Sequence, residues 1–174
     1  MIIRINNMTI LIQGIRLHSP ININRFREII DKINNDERVI QIIDSDIIVS
    51  IHHLVSAILR TERAFSLKRN ISHKKHVELL LRICGTRQIS NAIEMAGLKS
   101  STTNILLICY GKDAKPYFES IIKMINGDLN DDVFSLNEKK YQILIKAFNL
   151  QPNLSYEDII KRVLFKTALI ETEI

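Results

Sequence analysis

The run Thr103-Asn104-Ile105-Leu106-Leu107-Ile108-Cys109-Tyr110 is almost continuously apolar, and it constrains the fold more than any other stretch of the chain. A strand with one face in water alternates apolar and polar residues, whereas a strand covered on both faces loses the alternation. The run therefore predicts a strand of a sheet covered on both faces and clothed by helices. Three more strands are expected beside it. Ile2–Ile5 and Thr9–Gly14 read as a hairpin turning through Asn6-Asn7, because Asn tolerates the positive φ of a tight turn. Arg38–Ile43 is a β-branched run too short for a helix.

Helical spacing fills the rest. Asn22 caps a helix carrying Phe26, Ile29, Ile30 and Ile33, which runs to Asn34-Asn35. Asp44 and Ser45 are expected to cap the longest helix, from about Asp46 to Lys68, with Ile47, Ile51, Leu54, Ile58 and Phe65 facing the core and His53, Ser56, Arg60 and Arg63 on an exposed face. Ser72 is expected to cap a helix over about His73–Cys84, which Gly85 closes. Thr86 then opens a helix over Arg87–Ala96 that ends at Gly97. After the Thr103–Tyr110 strand, Asp113 caps a helix with Pro116 in its first turn and Gly127 at its end. Capping boxes at Ser135–Glu138 and Ser155–Asp158 announce the last two helices. The order β-β-α-β-α-α-α-β-α-α-α predicts an α/β (α+β) fold: one domain over residues 1–174, with a small mixed sheet of about four strands surrounded by helices. Residues 128–132 are the only linker-like stretch and are too short to divide domains.

The 174 residues are 46% hydrophobic, enough for a sizeable core. No run of about 18 uncharged apolar residues occurs and the N-terminus lacks signal-peptide features, so a soluble, cytoplasmic protein without membrane partners is expected. Cys84 and Cys109 each sit in an apolar run, where a thiol behaves as a small hydrophobe; a disulfide between them is the weaker reading.

The net charge of +5 is concentrated. Residues 60–87 hold Arg60, Arg63, Lys68, Arg69, Lys74, Lys75, Arg82 and Arg87 against only Glu62 and Glu78, and the remaining 16 basic and 17 acidic residues nearly cancel. A basic excess gathered into 28 residues is the footprint of a phosphate-binding surface; a solvated face kept basic for solubility is the plain alternative.

No catalytic constellation emerges. Gly111-Lys112 lacks the earlier glycine of a P-loop, and no G-x-G-x-x-G follows a strand, so no cofactor is expected. His73 and His76 have no third ligand at a recognisable spacing, so no metal is expected either. Asp44 and Asp46 are explained by capping a helix start.

The segment Ala57–Phe65, then Arg69-Asn70-Ile71-Ser72 and Val77–Ile93 with its Gly85-Thr86-Arg87-Gln88-Ile89 run, resembles the TPRKB (PRPK-binding protein) family, the small subunit of the KEOPS complex, in an archaeal-type version. The match is strongest over roughly residues 54–97. The resemblance implies a non-catalytic subunit that docks on the complex's small atypical kinase. It also implies binding of tRNA at its 3′ CCA end, delivering it to the threonylcarbamoyl transferase subunit that modifies the adenosine beside the anticodon. A purely allosteric binder of the kinase, without RNA contact, is the competing reading. On the RNA reading, Arg60, Arg63, Lys68, Arg69, Lys74, Lys75, Arg82 and Arg87 are candidate phosphate contacts, Asn70 and Gln88 candidate readers of base edges, and Ile71 an apolar floor for an unstacked base. Arg82 and Arg87 equally suit a structural role at the helix end beside Gly85.

The C-terminal helix, from about Tyr156 to Ile170, has two apolar sides. At 100° per residue, Ile159, Ile160, Val163, Leu164 and Ile170 share a broad face, and Phe165 and Leu169 lie opposite, one turn apart. Periodicity alone does not say which side is buried. Val163, Leu164, Phe165 and Leu169 are the candidate contacts to the kinase subunit.

Overall fold

The computed structural model describes residues 1–172 and divides them into two compact units. The first, residues 1–45 and 97–133, contains the whole sheet. Its strands are β1 (Ile2–Ile5), β2 (Met8–Leu17), β3 (Arg38–Asp44), β4 (Asn104–Gly111) and β5 (Gly127–Leu129). The path is β1-β2-β4-β3, with β5 pairing β2 beyond the end of β1, and every pairing is antiparallel. The α+β class is as expected, but pairing and strand number differ from a mixed sheet of about four. β5 comes from the supposed linker, and its three residues carry no apolar pattern to reveal them. They pair because Ile15, Arg16 and Leu17 extend β2 past its predicted end at Gly14. Asn6 at φ 52° makes the β1–β2 turn, as its sequence suggested.

β4 lies between β2 and β3, and its residues 105–110 are all buried. On one face Leu11, Ile15, Ile40, Ile42, Ile105, Leu107 and Cys109 pack with Phe26 and Ile30 of α1 (Ile23–Ile33) and with Ala114 and Ile121 of α5 (Ala114–Met124). The Asn22 side chain accepts from the Arg25 N–H, so the first helix is capped as expected. Asp113 sits in a left-handed conformation at the head of α5 and makes no side-chain cap; Gly127 belongs to β5, and α5 ends earlier, at Met124, with Ile125 already extended.

The second unit, residues 46–96 and 134–172, is helical: α2 (Ile51–Ser66), α3 (Lys75–Cys84), α4 (Ile89–Ala96), α6 (Glu138–Ala147) and α7 (Tyr156–Leu169). α2 starts five residues later than expected. A 3-10 turn takes Ser45–Ile47, Ser50 Oγ caps the helix by accepting from the His53 N–H, and Asp44 instead accepts from Thr102 Oγ1 at 2.8 Å. α6 is capped by Asn137, which accepts from the Lys140 N–H, and not by Ser135. Ser155 caps α7 by accepting from the Asp158 N–H. Both cysteines are free and buried. None of the described helices is long and apolar enough to cross a membrane.

Candidate functional site

The basic segment spans the end of α2, the loop 67–74 and α3. α2 ends in a Schellman motif: the Arg69 N–H donates to Ala64 O at 2.8 Å and the Lys68 N–H to Phe65 O at 3.1 Å. This places Lys68, at φ 55°, in the left-handed position that usually holds glycine. The chain then turns back along α2 under the control of a side chain that composition alone had marked only as a minority charge. Glu78 is fully buried, and its Oε2 accepts from the Ile71 and Ser72 N–H groups at 2.8 Å each. Its Oε1 accepts from Arg82 Nε at 2.8 Å and Nη2 at 2.6 Å. Asn70 Nδ2 donates to Ser72 O, and Ser72 Oγ accepts from the Lys74 N–H. The loop is thus pinned from beneath by one carboxylate.

The structure sorts the eight predicted cations into two groups. Arg63, Lys68, Arg69, Lys74 and Arg87 are exposed. The other three are buried or half-buried. Arg82 is 2% exposed and gives Nε and Nη2 to Glu78, so it is neither an exposed cation nor a cap for the α3 carbonyls. Lys75 Nζ bonds Glu62 at 2.8 Å and lies 5.5 Å from the Phe65 ring centre. Arg60 is largely covered, with Nε 3.8 Å from Glu171 and Nη1 buried without a hydrogen-bond partner among the described residues. Burial is the main cause that lowers its guanidinium from the usual arginine range. Asn70 and Ile71 are half-buried and Gln88 is exposed, its N–H held by Thr86 Oγ1. A cavity of about 240 Å³ opens between α2, α3 and the end of α7, lined among others by Arg63, Arg69, Arg82 and Glu171.

His53 corrects the expected polar face of α2. It is buried, its Nε2–H donates to Ile83 O at 2.9 Å and its Nδ1 accepts from the Val49 N–H at 3.4 Å, so the neutral ring is fully bonded. Desolvation holds it at a pKa of about 4. Gly85 ends α3 at φ 63°, and a Cβ there would meet Thr167 Cα at 3.0 Å, so glycine also permits the close approach of α7.

On α7 the broad face is the inner one: Ile159, Val163, Thr167 and Ile170 are buried. Phe165 is 64% exposed and Leu169 39%, on the outer side. Of the four proposed kinase contacts, Val163 is therefore core and Leu164 half-buried, while Phe165 and Leu169 stand free.

The model of the family described as kinase binding protein CGI-121 matches residues 21–170, which include this loop, the buried Glu78–Arg82 pair and α7. The chain belongs to that family. A member from Methanocaldococcus jannaschii, the "Regulatory protein Cgi121", is 31% identical over 131 residues, covering 75% of this chain and 82% of that one. The family is one of kinase-binding regulatory proteins, which agrees with the resemblance read from residues 54–97. Glu78 was noted in the sequence only as a minority charge and Glu171 not at all, because a lone acidic residue carries no periodic signal; only the fold shows what each one holds.

Proposed function

We propose that the protein is a non-catalytic, cytoplasmic subunit of the KEOPS complex that binds the complex's kinase and recruits tRNA, by its 3′ CCA end, for the threonylcarbamoyl transferase subunit. Membership of a kinase-binding family supports the first half. The observation that carries the second is the arrangement of Lys68, Arg69 and Lys74, exposed on a loop whose backbone is fixed from below by Glu78, with Arg63 exposed on the last turn of α2 before it. A preorganised basic edge loses little entropy when it meets a phosphate backbone, and phosphate contacts position a nucleic acid. Ile71, with Asn70 beside it, offers an unstacked base an apolar contact and a polar edge. The outer side of α7 supplies the kinase contact: two large apolar side chains one turn apart suit a groove on a partner.

A gel shift of the isolated protein with tRNA, with and without its CCA end, tests the RNA half. Binding is expected to need the CCA end and to weaken steeply with salt, as counterion release requires. Charge reversal at Arg63, Arg69 and Lys74 together is expected to abolish it without unfolding the protein. A triple variant that binds as tightly as the parent at low salt sinks this reading and leaves the purely allosteric kinase binder. For the kinase half, Phe165→Glu with Leu169→Glu is expected to abolish co-purification with the kinase subunit while tRNA binding persists; retained co-purification removes this side of α7 from the interface.

A further inference from the structure

The cavity at the end of α7 holds an unusual balance of charge. Arg82 gives Nε and Nη2 to Glu78, which leaves Nη1 turned toward Glu171 Oε1 at 3.8 Å. The same oxygen lies 3.8 Å from Arg60 Nε. Both distances exceed a hydrogen bond, so one carboxylate oxygen stands between two guanidinium groups and bonds neither. Arg60 Nη1 is buried and unpartnered among the described residues. Arg82, Arg63 and Arg69 line the cavity, Arg60 stands behind that lining and meets it through Glu171, and Glu171 is the only acidic residue in the described lining. A volume of about 240 Å³ takes several waters at roughly 30 Å³ each, and so has room for a phosphate group.

We propose that Glu171 is a built-in competitor for the anion at this site: its carboxylate occupies the place of one RNA phosphate and must swing out before that phosphate bonds Arg60 and the free edge of Arg82. The proposal rests on the RNA-binding reading for the identity of the anion. Its physical basis is a difference in contact quality. A phosphate presents several oxygens and is able to hydrogen-bond two guanidiniums at once, whereas Glu171 reaches both only as a long ion pair. Glu171 follows the last turn of α7 and its side chain is 31% exposed, so it leaves at little structural cost. The effect is a threshold: weakly bonding anions do not displace it, and the affinity for RNA stays below what the cations alone would give.

The test compares the parent with Glu171→Gln, which keeps the shape and removes the charge, in two measurements. The first is fluorescence anisotropy with tRNA; the second is the rise in melting temperature on replacing chloride by inorganic phosphate at matched ionic strength. Glu171→Gln is expected to bind tRNA about three- to tenfold more tightly, the scale of one or two partly exposed ion pairs, and to show the larger phosphate-dependent rise. Arg69→Gln, at the exposed rim, is expected to do the reverse in both. If the parent binds tRNA and Glu171→Gln binds it equally or more weakly, the competition is refuted and the RNA reading stands. If the parent fails to bind tRNA but phosphate still favours Glu171→Gln, the RNA reading falls and the competition survives for a smaller phosphate ligand. Equal phosphate responses together with equal tRNA binding overturn the proposal. Glu171→Ala makes the same comparison should the glutamine variant fold poorly.

Discussion

Glu78→Gln removes one charge from a site where four hydrogen bonds meet, and the structure sets the scale of the damage. The two oxygens accept from Ile71 N–H, Ser72 N–H, Arg82 Nε and Arg82 Nη2, at 2.6–2.8 Å, in surroundings where neither Glu78 nor Arg82 is more than 2% exposed. An amide has one acceptor oxygen, so its NH2 must face either the guanidinium or the two backbone N–H groups, donor against donor. Breaking a buried ion pair from one side costs about 3–5 kcal/mol, because the remaining charge stays buried without its partner. At about 2–4 °C per kcal/mol for a chain of this size, the melting temperature should drop by about 6–20 °C. Urea unfolding followed by circular dichroism measures the loss, and hydrogen exchange should show faster exchange of the Ile71 and Ser72 amides. Glu78→Met with Arg82→Met removes both charges and should cost less than the two single changes summed. An unfolding free energy for Glu78→Gln within about 1 kcal/mol of the parent would refute the pinning argument. So would a double variant whose cost is strictly additive. If the loop is the RNA edge, Glu78→Gln should also weaken tRNA binding even where the protein remains folded, since Arg69 and Lys74 then lose their fixed positions.

His53 makes stability pH-dependent in a definite direction. Its folded pKa of about 4 lies below the ordinary 6.5, so the unfolded chain takes up a proton that the folded one refuses; stability should fall as pH drops from 6.5 toward 4, by about 3 kcal/mol in all, and denaturant titrations of His53→Gln should show a shallower fall over that window. Lys68→Gly should stabilise the protein by up to about 1 kcal/mol, because Lys68 occupies the left-handed position of the Schellman motif; an unchanged or lowered urea midpoint would contradict this. Gly85→Ala should destabilise by more than about 1 kcal/mol in the same assay, since it combines a left-handed φ with the approach of Thr167.

What could be read from the sequence follows from where the signal was periodic. α7 was legible as two opposed apolar faces, because 100° per residue separates Val163 from Phe165, but which of the two is buried came only from the structure. α2 was misread by one position. Its buried residues include Ala57, Thr61 and Ala64, small side chains that let α3 and α7 pack closely on it but contribute little hydropathy. The apparent stripe through Leu54 and Ile58 therefore missed the true centre of the buried face. His53, next to Leu54 and one turn before Ala57, fell on the wrong side of that boundary and looked like a surface residue.

The basic segment shows why a count of charges and a map of charges differ. Eight cations in 28 residues suggested one surface. Three of them meet carboxylates that sequence separation hides: Lys75 bonds Glu62, 13 residues away, and Arg82 and Arg60 face Glu171, 89 and 111 residues on. The i,i+4 pair Glu78–Arg82 was visible as a spacing, but a helix surface pair and a buried pair have the same spacing, and only the loop's need for acceptors at Ile71 and Ser72 distinguishes them. The burial of Arg82 is thus a consequence of turning the chain back after α2. A loop that reverses direction there must satisfy its inward amides, Glu78 satisfies them, and a buried carboxylate requires a buried cation. The same turn that hides Arg82 presents Lys68, Arg69 and Lys74 outward, so these exposed cations and the buried pair are two results of one piece of backbone geometry.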